Sequence, residues 1–524
     1  MRSISVRRAN LGYTTGLVCI PCGEKYPLEE HYRRCLRCGG PLLLDYDLEK
    51  ISDRIVKSAF RDRGWGVWRY LELLPEIDDK KVVSLGEGGT ALLKCERLAQ
   101  ALGLRKLLVK DETTNPTGSF LDRGMTVDVS KANELGFRSL RCLGVSGNFA
   151  ASATAYASRG GFNCTIHLPR ESIGRIDLGK LYQIIAYGAD LIVENRGIDD
   201  QELDFLSKSS YTLLPGNPFF AEGEKTAGYE ICEQLGWRTP DRIIVPMGHG
   251  EHISMIWRGI KELRDIGLIK EQDVAMTGVQ VESYAVIVDQ LHGGKVAGRS
   301  MNGIKTVATD LAMKKPTHEY LAIHSMVESK GEGVKVKDTE VLDAMSLLAR
   351  TEGVFAEPAA ASTIAGLKML IDQGHVHKSE EVVCVITGAG LKDPLTARRF
   401  MKKVRAVDRI ISQIESRRFT TRLGRTKLEI LETISRRETY GYEVWRMLRK
   451  KLGVDMDVSC VYQHLSELEK VGLIRRTKVE SVLGKPERYY YSLTDRGKAI
   501  TKSTKARALA ENGRMMPEGS VDIR

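Results

Sequence analysis

Two patterns of apolar residues divide the chain into a long and a short part. Between residues 48 and 400, short apolar runs rich in β-branched residues alternate with longer segments whose apolar residues recur every three or four positions. Strands that alternate with helices in this way form a mostly parallel sheet with helices on both faces. The pattern predicts an α/β body that binds its ligands at the carboxyl ends of the strands. The apolar runs lie at 106–110, 141–145, 163–168, 190–194, 242–247 and 382–387.

A different pattern begins after residue 400. Residues 401–424 have a helical period with basic faces and predict a connecting helix. Residues 425–500 contain three amphipathic helical segments, then two strand-like pieces on either side of a Gly-Lys-Pro turn. Three helices and a β-hairpin form a winged helix, which is a variant of the helix-turn-helix. Residues 501–524 follow it as a tail.

The net charge of +11 is concentrated in this C-terminal part. Residues 401–524 carry 28 Lys and Arg against 16 Asp and Glu, whereas residues 1–400 carry 51 against 52. A basic appendage on a neutral body indicates a polyanionic partner, and for a winged helix that partner is double-stranded DNA. The alternatives are a basic segment that is only solvated and a winged helix that contacts other proteins.

Four cysteines near the N-terminus have the spacing of a metal site. Cys19, Cys22, Cys35 and Cys38 form two C-x2-C pairs separated by twelve residues, and a glycine follows each pair. Two such pairs can place four thiolates tetrahedrally around zinc, and four thiolates leave no open position for catalysis. The pattern predicts a zinc ribbon over residues 1–47 that depends on a structural zinc to fold.

The other six cysteines are scattered singly, which is typical of a reducing compartment rather than of a disulfide framework. The chain contains no run of eighteen apolar residues, and residues 1–16 contain no apolar signal-peptide core. These features predict a cytoplasmic protein without a membrane span.

Residues 110–125 read KDETTNPTGSFLDRGM, a turn-rich segment that runs into a helix. This segment closely resembles the lysine segment of threonine synthases, which are pyridoxal-phosphate enzymes of fold type II, the tryptophan synthase β-like class with two parallel α/β domains. In that family the residue between the Phe and the Asp-Arg pair is the lysine that forms the Schiff base with the cofactor. Here the position is Leu121. The leucine has no amine, so we expect no covalently bound pyridoxal phosphate and a loss of catalysis. Lys110 and Lys131 are not expected to replace it.

The resemblance extends over residues 48–400, and many threonine synthase-like chains begin with a similar ribbon. By this likeness VSGNFAASATAYA (145–157) is the asparagine loop. Asn148 would lie beside the cofactor ring, and Ser146–Asn148 would bind a substrate carboxylate. Thr387, in ITGAGLKDP, would lie opposite the pyridine nitrogen. The cofactor- or ligand-binding residues implied in these segments are Ser119, Ser146, Gly147, Asn148 and Thr387.

The phosphate-binding turn of the family is altered in this chain. The pattern G-N-x-G-N appears here as Gly248, His249, Gly250, Glu251 and His252, at the start of a helix. Such a turn binds phosphate because free backbone N–H groups and the helix dipole face the anion. A carboxylate at Glu251 would repel a phosphate dianion, at a cost on the order of 4 kcal/mol per contact at ~4 Å and an effective dielectric of about 20. The turn therefore makes pyridoxal phosphate a doubtful cofactor, unless Glu251 is an outward-pointing acid at the helix start.

The C-terminal segment closely resembles PadR-type regulators, in which YGYE-W, the VYQHLSELEKVGLI helix and the G-x-P-x-R-Y-Y wing recur. By that likeness the third helix would enter the major groove of DNA with Ser459, Tyr462, Gln463 and His464. A homodimer is expected, because one recognition helix contacts too few base edges for useful specificity. The residues expected to contact phosphates are Arg475, Arg476, Lys478, Lys485 and Arg488.

Three functions are compatible with these features. The favoured one is a DNA-binding transcriptional regulator whose body has lost catalysis and senses a small amino-acid-type ligand. It accounts for Leu121, the altered turn and the basic appendage together. The second is an active threonine synthase, which converts O-phosphohomoserine to threonine and phosphate, with an auxiliary DNA-binding domain. The third is a structural partner that pairs with a catalytically complete relative.

Overall fold

The structure is a computed structural model that describes residues 12–28, 32, 34–143, 147–170, 176–194, 209–294, 306–396, 423–452, 457–480, 487–498 and 500–501. The chain forms two compact units, Met1–Phe400 and Met401–Arg524. The predicted connecting helix and tail lie almost wholly outside the described residues, as do Ser146 and Lys485.

The strands described in the first unit form three sheets, whose orders are β2-β1-β3, β8-β7-β6-β9 and β12-β11-β10-β13-β5-β4. The strands are β1 (Thr14–Cys19), β2 (Lys25–Tyr26), β3 (Leu42–Tyr46), β4 (Leu92–Lys94), β5 (Lys106–Asp111), β6 (Ser139–Leu143), β7 (Asn163–Pro169), β8 (Asp190–Glu194), β9 (Tyr211–Leu213), β10 (Arg242–Pro246), β11 (Ala275–Val281), β12 (Glu332–Val336) and β13 (Glu381–Ile386).

The α-helices described in the first unit lie between these strands in the chain. They are α1 (Leu48–Ser52), α2 (Glu96–Leu102), α3 (Asp122–Glu134), α4 (Asn148–Gly160), α5 (Leu178–Ala186), α6 (Pro218–Gln234), α7 (Glu251–Asp265), α8 (Val286–Leu291), α9 (Glu319–Glu328), α10 (Asp338–Glu352) and α11 (Pro358–Asp372).

The six-stranded sheet is covered on both faces. Its strands are parallel except β4, which is antiparallel to β5. Alternate residues of β10 point to different cores: Ile243 and Val245 pack with α6 and α7, and Ile244 packs with α10 and α11. All six residues of β13 are buried. A parallel sheet covered on both sides needs such continuous apolar strands, so the predicted α/β body is confirmed.

The four-stranded sheet is fully parallel and packs with α3 and α4 around a separate core. Helix α4 contributes mostly alanines to this core, including Ala150, Ala153 and Ala157. Small side chains allow the helix to lie close to its neighbours. This sheet and the six-stranded sheet are the sheets of the two α/β domains of fold type II.

The N-terminal sheet shares a core with the body. Leu42 and Leu44 of β3 are fully buried in the cluster that contains the inner faces of α6 and α7. The Tyr46 hydroxyl donates to Glu222 of α6 over 2.8 Å. The ribbon is therefore part of the packing of the first unit.

The second unit has the predicted winged helix. Its elements are α12 (Arg425–Arg436), β14 (Thr439–Tyr440), α13 (Gly441–Leu452), α14 (Val458–Lys470), β15 (Ile474–Glu480) and β16 (Arg488–Leu493). The strand order is β14-β16-β15, and both pairings are antiparallel. The three helices and the hairpin enclose one apolar core that includes Leu431, Leu448, Leu465 and Tyr491.

Among the helices of the described ranges, none has both the length and the hydrophobicity to cross a bilayer.

Candidate functional site

The loop between β5 and α3 is held by a buried ion network. The Arg123 guanidinium donates to Glu112 over 2.6 Å and to Glu230 of α6 over 2.8 Å. The Lys110 ammonium donates to the same Glu230 over 2.7 Å. Burial opposes ionisation of Glu230, but these two cations lower its pKa below the ordinary value. Removing one member would leave a buried charge unpaired, so the network fixes the loop.

Neither lysine considered as a substitute for Leu121 can take that role. Lys110 is committed to the network, and Lys131 pairs with Glu134 over 2.7 Å, in the last turn of α3 rather than the first. The expectation for these two residues agrees with their positions in the structure.

Leu121 directly precedes α3 and packs partly buried against the core of the four-stranded sheet. The start of the helix is fixed by Asp122, which accepts hydrogen bonds from Thr117 N–H and Oγ over 2.7 Å and from Ser152 Oγ over 2.5 Å. Burial raises the pKa of Asp122 to about 6 in spite of these donors. Hydrogen bonds thus hold the loop in place around Leu121, a side chain that cannot form a Schiff base.

Asn148 is the first residue of α4, and its amide contacts two acids. The Nδ2 atom donates to Glu357 Oε2 over 2.8 Å and to Asp310 Oδ2 over 3.2 Å. Gly147 has a left-handed backbone (φ 73°), and a Cβ atom there would lie 3.3 Å from Asp310 and 3.4 Å from Lys180. A larger residue at position 147 would therefore be strained and crowded.

Lys180 of α5 lies among three acids. Its Nζ atom is 2.6 Å from Asp310 Oδ2, 3.0 Å from Glu357 Oε1 and 3.0 Å from Asp177 Oδ2. Burial lowers the pKa of Lys180, but the three acids outweigh burial and hold it well above its ordinary value. One ammonium thus faces three carboxyl groups, and burial raises the pKa values of two of them, Glu357 and Asp177, although Lys180 opposes this.

Ser119 and Thr387 lie on adjacent backbone segments. Phe120 N–H donates to the Thr387 carbonyl over 3.0 Å, and Ser119 forms an isolated β-bridge with Gly388. A Cβ atom at Gly388 would lie 2.0 Å from the Glu357 carboxylate, so only glycine fits between the bridge and this acid. Glu357 therefore connects these segments: it accepts from Asn148 and lies against Gly388, which is next to Thr387 and forms the bridge with Ser119.

Lys392 contacts the other side of the same loop. Its Nζ atom donates to the Thr117 carbonyl over 2.6 Å, and its Cδ atom lies close to Gly118. Burial lowers the pKa of Lys392, although Glu357 and Asp122 oppose this. Lys392 is thus a buried amine beside the loop that carries Leu121.

Glu251 begins α7, directly after Gly250, whose backbone is left-handed (φ 86°). The side chain points inward and is 6% exposed, with Oε1 3.7 Å from His318 Nε2. Burial and the nearby Glu224 raise the pKa of Glu251 well above its ordinary value, although the Gly216 N–H opposes them. A raised pKa favours the uncharged form of this carboxyl group, which weakens the charge repulsion predicted between Glu251 and a phosphate.

Three imidazoles belong to this region: His252 and His318 are buried, and His249 is half-buried. Burial lowers the pKa of His249 to about 4 and those of His252 and His318 to about 3. His252 Nδ1 lies 3.4 Å from Glu224 Oε2. Neutral imidazoles add no positive charge, so the turn supplies little beyond backbone amides to a phosphate.

The four cysteines of the ribbon meet as predicted. Sγ atoms of Cys19 and Cys38 are 3.4 Å apart, those of Cys22 and Cys35 are 3.5 Å apart, and all four lie within 4.8 Å of one another. Zinc–sulfur bonds of about 2.3 Å in a tetrahedron require sulfurs somewhat under 4 Å apart. The group could therefore hold one metal ion.

Helix α14 presents the predicted base-reading residues outward. Ser459, Tyr462 and Gln463 are exposed, on the side opposite the buried Val461 and Leu465. His464 is half-buried, and its Nε2 atom lies 3.6 Å from Cys460 Sγ. His464 is thus less accessible than the other three.

The described basic residues of the hairpin lie on its strands. Arg475, Arg476 and Lys478 of β15 are exposed, whereas Arg488 of β16 is half-buried. The Arg488 guanidinium lies over the ring of Tyr440 at 5.0 Å. Stacking of this kind orders the side chain while leaving its charge available.

Comparisons with known proteins agree with this architecture. Residues 83–388 match the family described as "Pyridoxal-phosphate dependent enzyme", so the chain belongs to the pyridoxal-phosphate dependent enzyme family. Within it the body is threonine synthase-like. The threonine synthase of Methanocaldococcus jannaschii is 44% identical over 386 residues, which cover 73% of this chain and 94% of that protein. The threonine synthase of Methanosarcina acetivorans is 38% identical over 403 residues, covering 76% and 97%.

Two further comparisons concern the C-terminal domain and the fold. Residues 430–503 match the "Transcriptional regulator PadR-like family", so a PadR-like domain follows the enzyme-like body. The processed form of threonine deaminase isoform 2 from Solanum lycopersicum superimposes with a TM-score of 0.50 at 19% identity, covering 66% of this chain and 96% of that one. At that identity the likeness concerns the fold alone.

The family implies pyridoxal phosphate, and the residues present can be compared with what that cofactor needs. Position 121 offers no amine, and α7 begins with Glu251, whose side chain is buried. The amines of Lys180 and Lys392, near Asn148 and the loop before α3, are both hydrogen-bonded to neighbours. These residues do not fit a pyridoxal phosphate attached at the position that the family uses.

The sequence interpretation assigned no role to four pocket residues: Lys180, Asp310, Glu357 and Lys392. Three of them lie in segments recognised as threonine synthase-like, at 179–189, 351–367 and 386–394. Each is an ionisable residue in an otherwise apolar or glycine-rich stretch, which is a signal for a buried functional charge. Asp310 carries no such signal, because its neighbours give no motif.

Proposed function

We propose that this chain is a DNA-binding transcriptional regulator whose threonine synthase-like body binds a small amino-acid-type ligand without Schiff-base chemistry. The proposal rests on one observation. Leu121 stands at the lysine position of the loop. The contacts that hold this loop are present: Arg123 donates to Glu112, and Asp122 accepts from the Thr117 N–H. A protein that keeps the pocket and lacks its reactive atom can still bind a ligand.

The altered turn supports the same proposal. Glu251 occupies the start of α7, and its neighbours His252 and His318 are buried and neutral. A phosphate placed there would lie near a buried carboxyl group and would meet no cation of the turn. We therefore propose that pyridoxal phosphate is not covalently bound and that the natural ligand is not held by a phosphate at this turn.

The second unit supports DNA as the partner. Its exposed α14 residues and the basic residues of its hairpin support this, because a winged helix contacts base edges with its third helix and phosphates with its wing. The +12 charge balance of residues 401–524 favours a polyanion over a protein partner. We further propose that the chain acts as a homodimer, because two recognition helices are needed for useful specificity. Zinc at the four cysteines has a structural role in this proposal.

The test uses the full-length protein. Selection from a random duplex library should enrich one sequence motif, and the protein should release no phosphate from O-phosphohomoserine above background. The M. jannaschii enzyme serves as the positive control for phosphate release. Turnover by the unmodified chain would refute the loss of catalysis, and a library without an enriched motif would refute the regulator.

The second candidate is an active threonine synthase with an auxiliary DNA-binding domain. Two observations favour it: the identity of 44% to a threonine synthase, and the buried amine of Lys392 beside the loop that carries Leu121. Burial lowers the pKa of Lys392, as a nucleophilic amine requires. In this case phosphate release should be measurable and should be lost in Lys392→Met but kept in Lys131→Met.

A further inference from the structure

Four buried side chains with metal-binding atoms meet near the start of α7, and we call them the His–Glu cluster: Glu224 of α6, Glu251 and His252 of α7, and His318, which directly precedes α9. They are between 1% and 6% exposed. His252 Nδ1 lies 3.4 Å from Glu224 Oε2, and His318 Nε2 lies 3.7 Å from Glu251 Oε1. These four atoms, and His252 Nε2 as well, have no hydrogen bond in the described part of the chain. Buried polar atoms are normally satisfied, so a bound group is needed to complete the cluster.

The protein supplies no cation to the two acids of the cluster. Within the described ranges, each acid has an imidazole as its ion-pair neighbour and pairs with no Lys or Arg. Arg123, the cation of the adjacent network, donates to Glu112 and Glu230 instead. Burial and neighbouring acids raise the pKa values of Glu224 and Glu251, so both favour the uncharged form until a cation displaces their protons. The bound group is therefore expected to be positively charged.

The chemistry of the ligand atoms defines the cation. Two imidazole nitrogens and two carboxylate oxygens suit divalent ions such as Mn²⁺ and Fe²⁺, whereas thiolates, as in the ribbon, suit zinc. Bonds of about 2.1 Å place neighbouring ligand atoms roughly 3.0–3.4 Å apart, close to the two separations in the cluster. Thr317 Oγ lies 3.0 Å from His318 Nδ1, which leaves Nε2 to face an ion. The ring of Phe120 packs on that of His252, with centroids 4.2 Å apart.

We propose that the His–Glu cluster binds one divalent metal ion of the Mn²⁺ or Fe²⁺ type. Glu251 and His252 are consecutive residues, so the two pairs adjoin at the start of α7, and rotation of the glutamate side chains brings their ligand atoms onto one ion. This rotation is needed, because among the described residues the ligand atoms that already converge are those of the four ribbon cysteines. The two carboxylates balance the charge of the ion, so the turn remains unfavourable to a phosphate dianion. This site goes beyond the proposed function and does not depend on DNA binding.

The test titrates Mn²⁺ into full-length protein that retains its ribbon zinc. The electron paramagnetic resonance signal of free Mn²⁺ weakens when the ion is bound, so it reports binding directly. Wild type should bind one Mn²⁺ per chain while its zinc content stays constant. Excess Mg²⁺ should displace little Mn²⁺, because Mg²⁺ prefers oxygen ligands to imidazole.

Three variants each remove one ligand. His252→Asn and Glu251→Gly restore the residues of the family's turn, and Glu224→Gln keeps the size of the side chain. Each should weaken Mn²⁺ binding at least about a hundredfold, since even the loss of an outer partner of a ligand can cost that much. Asp343→Asn, an exposed acid of α10, should bind Mn²⁺ as wild type does.

Three results would overturn the inference. The first is a wild type that binds Mn²⁺ no better than these three variants. The second is complete displacement of Mn²⁺ by Mg²⁺, which would indicate a site made of acids alone. The third is a release of zinc in step with the uptake of Mn²⁺, which would place the ion in the ribbon.

Discussion

At the scale of single residues, position 121 decides which chemistry the pocket can support. Leu121→Lys should restore an amine in a frame held by Asp122 and Arg123, so a band in the visible range should appear on addition of pyridoxal phosphate. The gain should be small while Glu251 fills the start of α7. Leu121→Lys combined with Glu251→Gly should bind the cofactor far more tightly than either single variant, as absorbance titration measures.

The controls for this prediction use the same cofactor. Glu251→Gly alone should give no visible band, because it restores no amine. Equal cofactor affinity in the single lysine variant and the double variant would show that Glu251 does not obstruct the turn.

A second residue, Asp128, makes the stability of the body depend on pH. It is fully buried in α3 and accepts one hydrogen bond, from Tyr211 over 2.7 Å, while Oδ2 has no partner. Burial raises the pKa of Asp128 from 3.8 to about 7, although Tyr211 opposes this. Between these two values the unfolded chain has lost the proton and the folded chain has kept it, so stability falls as pH rises through this window.

Asp128→Asn removes this titration and keeps an acceptor for Tyr211. Relative to wild type, the variant should gain about 2–4 kcal/mol of stability on going from pH 5 to pH 8, measured from urea midpoints of the body. Asp343→Asn should follow the wild-type pH profile. A wild-type profile for Asp128→Asn would show that Asp128 is ionised throughout this range.

At the scale of elements, periodicity predicted the strands and helices because burial on one or two faces dictates which positions are apolar. β13 reads as a continuous apolar run because both faces are covered, and α14 shows Val461 and Leu465 at helical spacing because one face is covered. The pocket was predictable only in part. The contact of Asn148 with Asp310 joins residues 162 positions apart, and no local pattern reports such a pairing. Likewise, the sequence cannot show that Glu251 is buried near Glu224, which raises the pKa of its carboxyl group.

The ribbon sheet, β1 to β3, belongs to the segment that carries the predicted zinc site, so its stability should depend on the metal. One zinc per chain should be found by metal analysis of the purified protein, and Cys22→Ser should lose it. Cys95→Ser, a buried cysteine outside the ribbon, should retain it. Because β3 shares a core with α6 and α7, chelation should also lower the melting temperature of the body. Retention of zinc in Cys22→Ser would contradict the four-cysteine site.

The recognition helix and the hairpin should contribute differently to DNA binding. Gln463→Ala, on the exposed side of α14, should relax the preference at one or two base pairs and cost about 1–3 kcal/mol on the best site. Arg488→Ala should weaken binding to all sequences about equally and flatten the salt dependence by about one unit of slope. Lys451→Ala removes the same charge from a residue that pairs with Glu429 and Glu432 and should change neither property. A uniform loss of affinity in Gln463→Ala, together with a changed sequence preference in Arg488→Ala, would contradict the proposed orientation of α14 in the groove.

At the scale of the whole molecule, an enzyme-like body and a DNA-binding domain on one chain have a shared function only if their ligands influence each other. Each unit has its own core, so either could bind its partner independently.

Thermodynamic linkage supplies a strict criterion: if an amino acid changes DNA affinity by some factor, DNA must change the affinity for that amino acid by the same factor. We expect a factor of roughly 5–150, which corresponds to a coupling of about 1–3 kcal/mol. Titrating the tightest amino-acid ligand into free and DNA-saturated protein, and DNA into free and ligand-saturated protein, measures both factors on the same protein. Asp343→Asn should preserve both. A ligand that binds the body with a factor of one in both titrations would show that the two units act independently, even if the winged helix binds its DNA site tightly.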